Sequence, residues 1–364
     1  MKLFLVCKVS LLLAAATPLF ADSYSQVNLV SDIAGAAAHT DPNLIDPWGL
    51  AFSSTSPFWV SNRGSGTTTL YSATGSSPRG AIVVPPGTPA TGPTGQVFAG
   101  PSTSFQVNGA SASFIFDTLG GTIDAWNGAS GSTASIVATT ANARYEGLAL
   151  ANNTLYAANF VSGGGINVFT SSYTPTTLAG SFTDPNLPAG YAPFNIQQIN
   201  GQLYIEYAKL NSNSAIPVPS AGNGGYVDVF TASGVFVQRL ISNGPLDAPW
   251  GIALAPSNFS TFSNDLLVGN FGNGEINAFN PTTGAFVGTL TADGTTFSEP
   301  GLWALDFGNS SANPAALYFT AGINRGTDGL FGEIEAVPEP STTALTLLGC
   351  LTGLGCAVRR RLAR

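Results

Sequence analysis

One motif recurs along this chain and limits what the chain can fold into. Its clearest copy is PWGIALAP at residues 249–256, followed after a short linker by NDLLVGNFGNGEINAFNPTTG. Degraded copies open with PWGLAF at 47–52, TGQVFA at 94–99, EGLALA at 146–151, FNIQQI at 194–199 and LWALDF at 302–307. The chain therefore carries six copies about 50 residues apart, a period typical of propellers, solenoids and repeat arrays.

Each copy predicts a small set of β-strands. An apolar run comes first, a second run is rich in β-branched and aromatic residues, and a third alternates apolar and polar residues after a Gly/Asn turn. Most copies add a fourth run: AIVV at 81–84, SIVA at 135–138, TLAGSF at 177–182, FVQRLI at 236–241 and FVGTL at 286–290. Alternation between turn residues is typical of strands. Four antiparallel strands per repeat form a propeller blade, so the sequence predicts an all-β, six-bladed β-propeller.

The two ends of the repeat region predict how the ring closes. The sixth copy lacks a fourth run, whereas SYSQVNLVSD at 23–32 is a spare strand before the first copy. We therefore expect residues 25–30 to pair with residues 331–335 as the outermost strand of the last blade. A solenoid, the rival architecture, would need capping repeats at both ends.

Both termini predict targeting segments that flank a propeller at 22–336. Residues 1–21 are expected to form a secretory signal peptide, because Lys2 and Lys8 flank an apolar run that ends at the small residue Ala21. Residues 337–364 contain an apolar span at 341–358, which as a helix would reach about 27 Å and barely cross a bilayer. The arginines that follow it are expected to stay on the cytoplasmic side.

The C-terminal segment resembles a known sorting signal. Its Val-Pro-Glu-Pro motif, apolar span and final arginines together resemble the PEP-CTERM signal; the matching residues are Val337, Pro338, Glu339, Pro340, Arg359, Arg360 and Arg361. The resemblance implies a bacterial protein that an exosortase-type protease processes. It also implies an intermediate anchored in the inner membrane, then delivery to the cell surface or the extracellular matrix.

The repeats carry a second resemblance. DPWGLAF, LYAANF, DAPWGIALAP and LLVGNFGNGEINAFNP are similar to an exported bacterial family without an established activity, and more distantly to NHL-type six-bladed propellers. This resemblance implies the fold and an exported location. It supplies no catalytic residue.

Composition excludes several classes of function. Cys7, Cys350 and Cys356 all lie in the terminal segments, and His39 is the only histidine, so a cysteine metal site and a serine-histidine triad are both excluded. Six of the twelve Lys and Arg also lie in those segments, while all twenty acidic residues lie from Asp22 to Glu339, which leaves a net charge of −14 over residues 22–339. Such a charge repels phosphate backbones and argues against nucleic acid, but it is compatible with divalent cations.

The mouth of the central channel is the predicted binding site. The innermost strands and the loops that face them are expected to place these residues around one opening: Trp48, Asn62, Glu146, Asn159, Asn195, Trp250, Asn270 and Trp303. Tryptophan rings with asparagine side chains could stack on sugars and bind their hydroxyls. The alternative is a structural plug, in which the rings fill the narrow end of the channel.

Two functions remain open. Glu146, Asn195 and Asn270 could hold Ca²⁺ or another divalent cation through oxygen ligands, in a place where lactonase-like propellers hold a metal. The first function is an exported binding or scaffold protein associated with extracellular polysaccharide. The alternative is a lactonase-like, cation-dependent hydrolase. The long insertion at 208–225 is either an overhang of the channel mouth or a tolerated loop.

Overall fold

The six repeats form the six sheets of a closed β-propeller. The structure is a computed structural model and describes residues 24–88, 90–101, 103–212 and 222–337. Each repeat folds into one antiparallel sheet, and the innermost strand of each sheet contacts the innermost strands of its two neighbours. The predicted all-β, six-bladed architecture is confirmed.

The strands follow the repeats in chain order. Before the first blade lie β1 (Tyr24–Ser31) and β2 (His39–Thr40). Blade one comprises β3 (Pro47–Ala51), β4 (Phe58–Asn62), β5 (Thr67–Tyr71) and β6 (Ile82–Val83). Blade two comprises β7 (Pro93–Phe98), β10 (Phe114–Thr118), β11 (Thr122–Trp126) and β12 (Ser135–Thr139), with the hairpin β8 (Gln106–Val107) and β9 (Ala110–Ser111) inserted after β7. Blade three comprises β13 (Tyr145–Ala151), β14 (Thr154–Asn159), β15 (Ile166–Phe169) and β16 (Pro175–Thr176).

The second half continues the pattern. Blade four comprises β17 (Tyr191–Ile199), β18 (Gln202–Lys209), β19 (Tyr226–Thr231) and β20 (Phe236–Ser242). Blade five comprises β21 (Pro249–Leu254), β22 (Leu266–Asn270), β23 (Ile276–Phe279) and β24 (Phe286–Thr289), followed by the hairpin β25 (Thr291–Ala292) and β26 (Thr295–Thr296). Blade six comprises β27 (Leu302–Phe307), β28 (Leu317–Ala321) and β29 (Leu330–Ala336). Short helical turns lie at Gly128–Ser130, Ser260–Phe262 and Ile323–Gly326.

The core consists of layers between consecutive blades. Strands in the middle of a blade, such as β4 and β10, are buried along their whole length because a neighbouring sheet covers each face. Between blades one and two, the ring of Trp59 stacks on Phe114 at 4.0 Å and packs against Trp126 at 4.9 Å. Buried aromatic pairs of this kind contribute about 0.5–1.5 kcal/mol beyond their buried area.

The innermost strands pack so closely that side chains are excluded at several points. A Cβ atom at Gly49 in blade one would overlap the carbonyl oxygen of Thr94 in blade two. A Cβ atom at Gly251 in blade five would overlap the carbonyl oxygen of Trp303 in blade six in the same way. The glycine in the repeated Trp-Gly pair therefore permits backbone-to-backbone contact around the axis.

The N-terminal strand closes the ring as predicted. Strand β1 pairs with β29 in antiparallel register, with Ser25 opposite Glu335 and Val30 opposite Phe331. The hydroxyl of Tyr24 donates a 2.8 Å hydrogen bond to the carbonyl of Phe259 and accepts one of 3.0 Å from the amide of Phe262. These contacts tie the first strand to blade five as well as to blade six.

Two details of the predicted strands are wrong or incomplete. The fourth strand of blade three is β16, and the predicted run 177–182 is not a strand. Its backbone instead bonds to the hairpin turn of blade four, through Gly180 N to Ser233 O and Phe182 N to Gly234 O. Strand β2 also adds a fifth, parallel edge outside β1, which the sequence analysis did not predict.

The predicted targeting segments lie outside the described residues. This applies to the signal peptide at 1–21, to the apolar span at 341–358 and to the sorting residues from Pro338 onward. Within the ranges that the structure describes, no helix has the length and apolar character needed to span a membrane.

We predict that removing the closing strand exposes the edge of blade six. A chain lacking residues 22–31 leaves β29 without its outer partner, and an open edge promotes pairing between molecules. We expect this variant to aggregate, measured by size-exclusion chromatography and light scattering. Val27→Thr, at an exposed position of the same strand, is the control and should stay monomeric. A deletion variant as monomeric as the parent would contradict closure by β1.

We also predict that the axial glycines are sensitive to a single methyl group. Gly251→Ala forces the backbones of blades five and six apart and should cost about 1–3 kcal/mol, lowering the melting temperature by several degrees. Gly165→Ala is the matched control, because a Cβ atom there meets no atom within 4 Å. Equal melting temperatures for the two variants in scanning calorimetry would contradict this account.

Candidate functional site

A cavity of about 420 Å³ lies at one end of the channel. It is lined by Asp46, Trp48, Arg63, Arg144, Glu146, Phe271, Gly272, Pro300, Gly301, Trp303, Gly322, Arg325 and Gly326. These residues belong to the starts of innermost strands and to the loops after second strands, which the ring brings to the same opening. The volume lies in the range of small-molecule pockets.

Stacked tryptophans form the floor of the cavity. The rings of Trp48 and Trp303 stack at 3.5 Å with an interplanar angle of 21°, and Trp250 meets both edge-on at 6.4 and 5.7 Å. Phe271 lies against Trp303 at 4.4 Å and is only half-buried. The aromatic cluster therefore serves in both predicted ways. Trp250 is packed within it as a structural plug, while Phe271 faces the cavity and offers a binding surface.

Two buried carboxyl groups each pair with an arginine at the cavity wall. Asp46 forms an ion pair with Arg63 and accepts a 3.4 Å hydrogen bond from the indole nitrogen of Trp303. Glu146 accepts a 2.8 Å hydrogen bond from Nε of Arg144 through its Oε1 atom. Because burial disfavours the charged form, the pKa of Asp46 is raised, although the Arg63 guanidinium opposes this shift.

Glu146 is a buried polar group of the cavity that is only partly hydrogen-bonded. Its side chain is 1% exposed, and its Oε2 atom is buried without a hydrogen-bond partner among the described residues. Burial raises the pKa of Glu146 to about 8, although the charge of Arg144 opposes the shift. This shift favours the protonated carboxyl near neutral pH, and in that form Oε2 would be a hydrogen-bond donor.

Arg325 enters the cavity from a constrained turn. Asn324 and Arg325 have φ values of 52° and 63°, which residues other than glycine rarely adopt. Two hydrogen bonds hold the turn. The side-chain Nδ2 of Asn324 donates to the carboxylate of Asp328 at 2.8 Å, and the hydroxyl of Thr327 donates to the backbone carbonyl of Asn324 at 3.0 Å. Left-handed backbone of this kind concentrates at functional sites, because the surrounding structure must hold it in place.

The predicted asparagines have structural contacts. The side-chain oxygen of Asn159 accepts a 2.9 Å hydrogen bond from the backbone amide of Arg144, and so positions a cavity arginine. Asn62 donates to Thr69 at 3.0 Å, and Asn270 donates to the carbonyl of Pro245 at 2.8 Å. All three end the second strands of their blades; Asn62 bonds to the next strand, β5, whereas Asn159 and Asn270 bond to facing loops.

The predicted metal ligands do not line one cavity. Glu146 lines the mouth, whereas Asn195 lines a narrow space deeper in the channel and donates to the carbonyl of Trp250 at 2.6 Å. Asn270 lines neither space. In the residues that the structure describes, no group of three or more His, Cys, Asp and Glu is arranged to hold a metal ion.

Three cavity residues were missed by the sequence analysis. Asp46, Arg144 and Arg325 lie next to repeat motifs but outside them. For Arg144 the available signal was its spacing from Glu146. Residues two apart at the start of a predicted strand lie on the same face, so Arg144 could be expected beside Glu146. The available signal for Arg325 was the Asn-Arg-Gly run at 324–326, which repeats the Asn-Arg-Gly run at 62–64 at the end of the second strand of blade one.

The insertion at 208–225 is described only at its ends, since residues 213–221 lie outside the described ranges. On its C-terminal side, the amide of Gly222 bonds to the side chain of Asp247. The carbonyl of Asp247 in turn accepts the amide of Gly272, a cavity residue, at 3.0 Å. This end of the insertion therefore lies beside the channel mouth.

These features define the class of the protein as a six-bladed β-propeller with a candidate small-molecule site at its channel mouth. A solved structure titled glucose dehydrogenase is similar with a TM-score of 0.53 and 12% identity, covering 86% of this chain and 100% of that one. At this identity the similarity supports the fold alone.

The chain belongs to the family of two uncharacterized proteins of Acanthamoeba polyphaga mimivirus. One is 32% identical over 320 residues, covering 84% of this chain and 78% of the relative. The second is 31% identical over 325 residues, covering 84% of each. No protein-family model matches the chain. The predicted membership of an exported bacterial family with a PEP-CTERM signal is therefore wrong, because the relatives belong to a virus of amoebae.

We predict that the protein is more stable at mildly acidic than at alkaline pH. Burial raises the pKa of Asp117 and Asp124 to about 7 and that of Glu146 to about 8, all above their values in an unfolded chain. The folded state therefore binds more protons, and this stability is lost as pH rises through 7 and 8. Melting temperatures should be higher at pH 5.5 than at pH 8.5, and Glu146→Gln should reduce the difference. A melting temperature that rises over this interval would contradict the prediction.

Proposed function

We propose that the protein binds saccharides in the cavity at its channel mouth and attaches in this way to extracellular polysaccharide. The observation that carries the proposal is an aromatic surface, Trp48, Trp303 and Phe271, beside polar side chains that can bind hydroxyl groups. Apolar walls with a few placed polar groups are typical of small-molecule sites. Flat rings suit the faces of sugars, and the polar groups at their edge suit the hydroxyls.

The hydrolase alternative has weaker support. It depended on Glu146, Asn195 and Asn270 acting together on a cation. Glu146 and Asn195 line different spaces, and Asn270 lines neither of them. Binding without catalysis is therefore the function that we propose.

The proposal includes an extracellular location. It is supported by the apolar N-terminal run behind Lys2 and Lys8, which is typical of a secretory signal peptide. The apolar span at 341–358, followed by arginines, would hold the chain at a membrane. The propeller would then present its cavity to polysaccharide outside the cell.

The test is a binding measurement with a matched pair of phenylalanine variants. Phe271→Ala removes a ring from the cavity wall and should weaken saccharide binding about tenfold, the equivalent of about 1.4 kcal/mol. Phe286→Ala removes a 51% exposed ring from the outermost strand of blade five and should bind as the parent does. Affinities are measured by calorimetry against a panel of neutral and acidic oligosaccharides, with melting temperatures to confirm folding.

The proposal fails if no member of the panel binds to the parent protein. It also fails if the two phenylalanine variants lose affinity equally, because binding would then not involve the cavity.

A further inference from the structure

Positive charge is concentrated at the cavity in an otherwise acidic protein. Over residues 22–339 the chain has six basic residues against twenty acidic ones. Three of those six, Arg63, Arg144 and Arg325, line this one cavity. A surface that repels anions generally thus has one recess that can attract them.

The arginines differ in how their charge is compensated. Arg63 pairs with Asp46, so these two charges cancel. Arg144 pairs with Glu146, whose second oxygen is buried without a partner in the described chain. Arg325 is exposed and forms no ion pair with the residues that the structure describes. Arg144 and Arg325 are therefore the groups available to an anionic ligand.

The protonation state of Glu146 sets the net charge of the recess. The charged groups around it are Arg144 just before its own strand, Arg63 from blade one and Asp117 from blade two. Asp46 and Arg325 line the same cavity. Burial dominates these influences and keeps Glu146 neutral below a pKa of about 8. In that state the cavity carries an excess of two positive charges.

Resting on the proposed saccharide-binding function, we infer that the ligand is an acidic sugar whose carboxylate is bound by Arg144 and Arg325. Guanidinium groups bind carboxylates through paired, charge-assisted hydrogen bonds. The sugar ring then lies against Phe271 and the tryptophan floor, and protonated Glu146 donates its free hydrogen bond to a ligand oxygen. The ligand class is thus a uronic acid unit, either free or within a polysaccharide.

The inference is tested with the full chain and two ligands that differ only in charge. One is a trisaccharide of glucuronic acid, and the other is the same trisaccharide after reduction of its carboxyl groups to alcohols. Calorimetry at pH 6.5 should give at least tenfold tighter binding of the acidic form. Arg325→Gln should remove most of this preference and leave the affinity for the reduced form within about twofold, whereas Arg325→Lys should retain part of it.

Arg79→Gln is the matched control for charge. Arg79 is exposed and lies over the ring of Trp126 at 5.1 Å, away from the cavity. Its removal lowers the net charge by the same amount and should leave both affinities unchanged. An equal loss in Arg79→Gln and Arg325→Gln would show a general field effect and overturn the inference.

The remaining outcomes separate the inference from the proposed function. Equal affinity of the parent for the two trisaccharides overturns the acidic-sugar inference and leaves saccharide binding intact. Binding of neither trisaccharide, with no binding across the oligosaccharide panel, overturns both. Tight binding of free glucuronate, as strong as that of the trisaccharide, would identify a monosaccharide site and still support the inference.

A pH series adds a readout that a structural role for Glu146 would not change. The parent should lose affinity for the acidic trisaccharide as pH rises from 6.5 to 9, because ionised Glu146 neutralises Arg144 and repels the ligand. Glu146→Gln has no titrating proton at this place, so its own affinity, whatever its level at pH 6.5, should stay constant to pH 9. A parent affinity independent of pH would overturn the role of Glu146.

Discussion

The contact between neighbouring innermost strands is the constraint on which the rest of this structure depends. Blades one and five meet their neighbours through Gly49 and Gly251, where a Cβ atom would overlap the facing carbonyl. Where the chain lacks such a glycine, a side chain bridges the same gap: Asn195 donates to the carbonyl of Trp250, and Thr320 donates to that of Trp48 at 2.6 Å. Close packing at the axis keeps the channel narrow and holds six sheets in one ring, because each blade is fixed against two others.

A narrow ring forces large side chains toward its mouth. Trp48, Trp250 and Trp303, at the starts of innermost strands, gather at one end of the channel and pack against one another. Their packing buries Asp46 and Glu146 in the same layer, which raises the pKa of both carboxyl groups and calls for cationic partners. The cavity and its arginines are thus consequences of ring closure, and the same packing that stabilises the fold creates the chemistry of the candidate site.

The corrected family assignment follows from the same constraint. The motifs that carried the resemblance to a bacterial family include PWGLAF and PWGIALAP, in which Trp-Gly forms the axial contacts. Residues that permit close packing at the axis recur in propellers from unrelated sources. Such residues therefore predict the fold, but they are a poor guide to the organism from which a protein comes. Similarity along most of the chain, as with the mimivirus proteins, is the stronger guide to descent.

The sequence by itself determined the repeat, the six blades and the closing strand, because strand alternation and turn residues act locally and the period is long enough to count. It also brought Trp48, Glu146 and Trp303 to one opening, since equivalent positions of a ring must meet. Tertiary structure alone decided which polar groups face that opening. The side-chain amide nitrogens of Asn195 and Asn270 donate to nearby backbone carbonyls. The cavity is lined instead by Asp46, Arg144 and Arg325, which lie outside the repeat motifs. Hydrogen-bond partners and burial depend on which residues lie across the channel. Those residues can be more than 200 positions away in the sequence, and a local sequence pattern does not show that they are close in space.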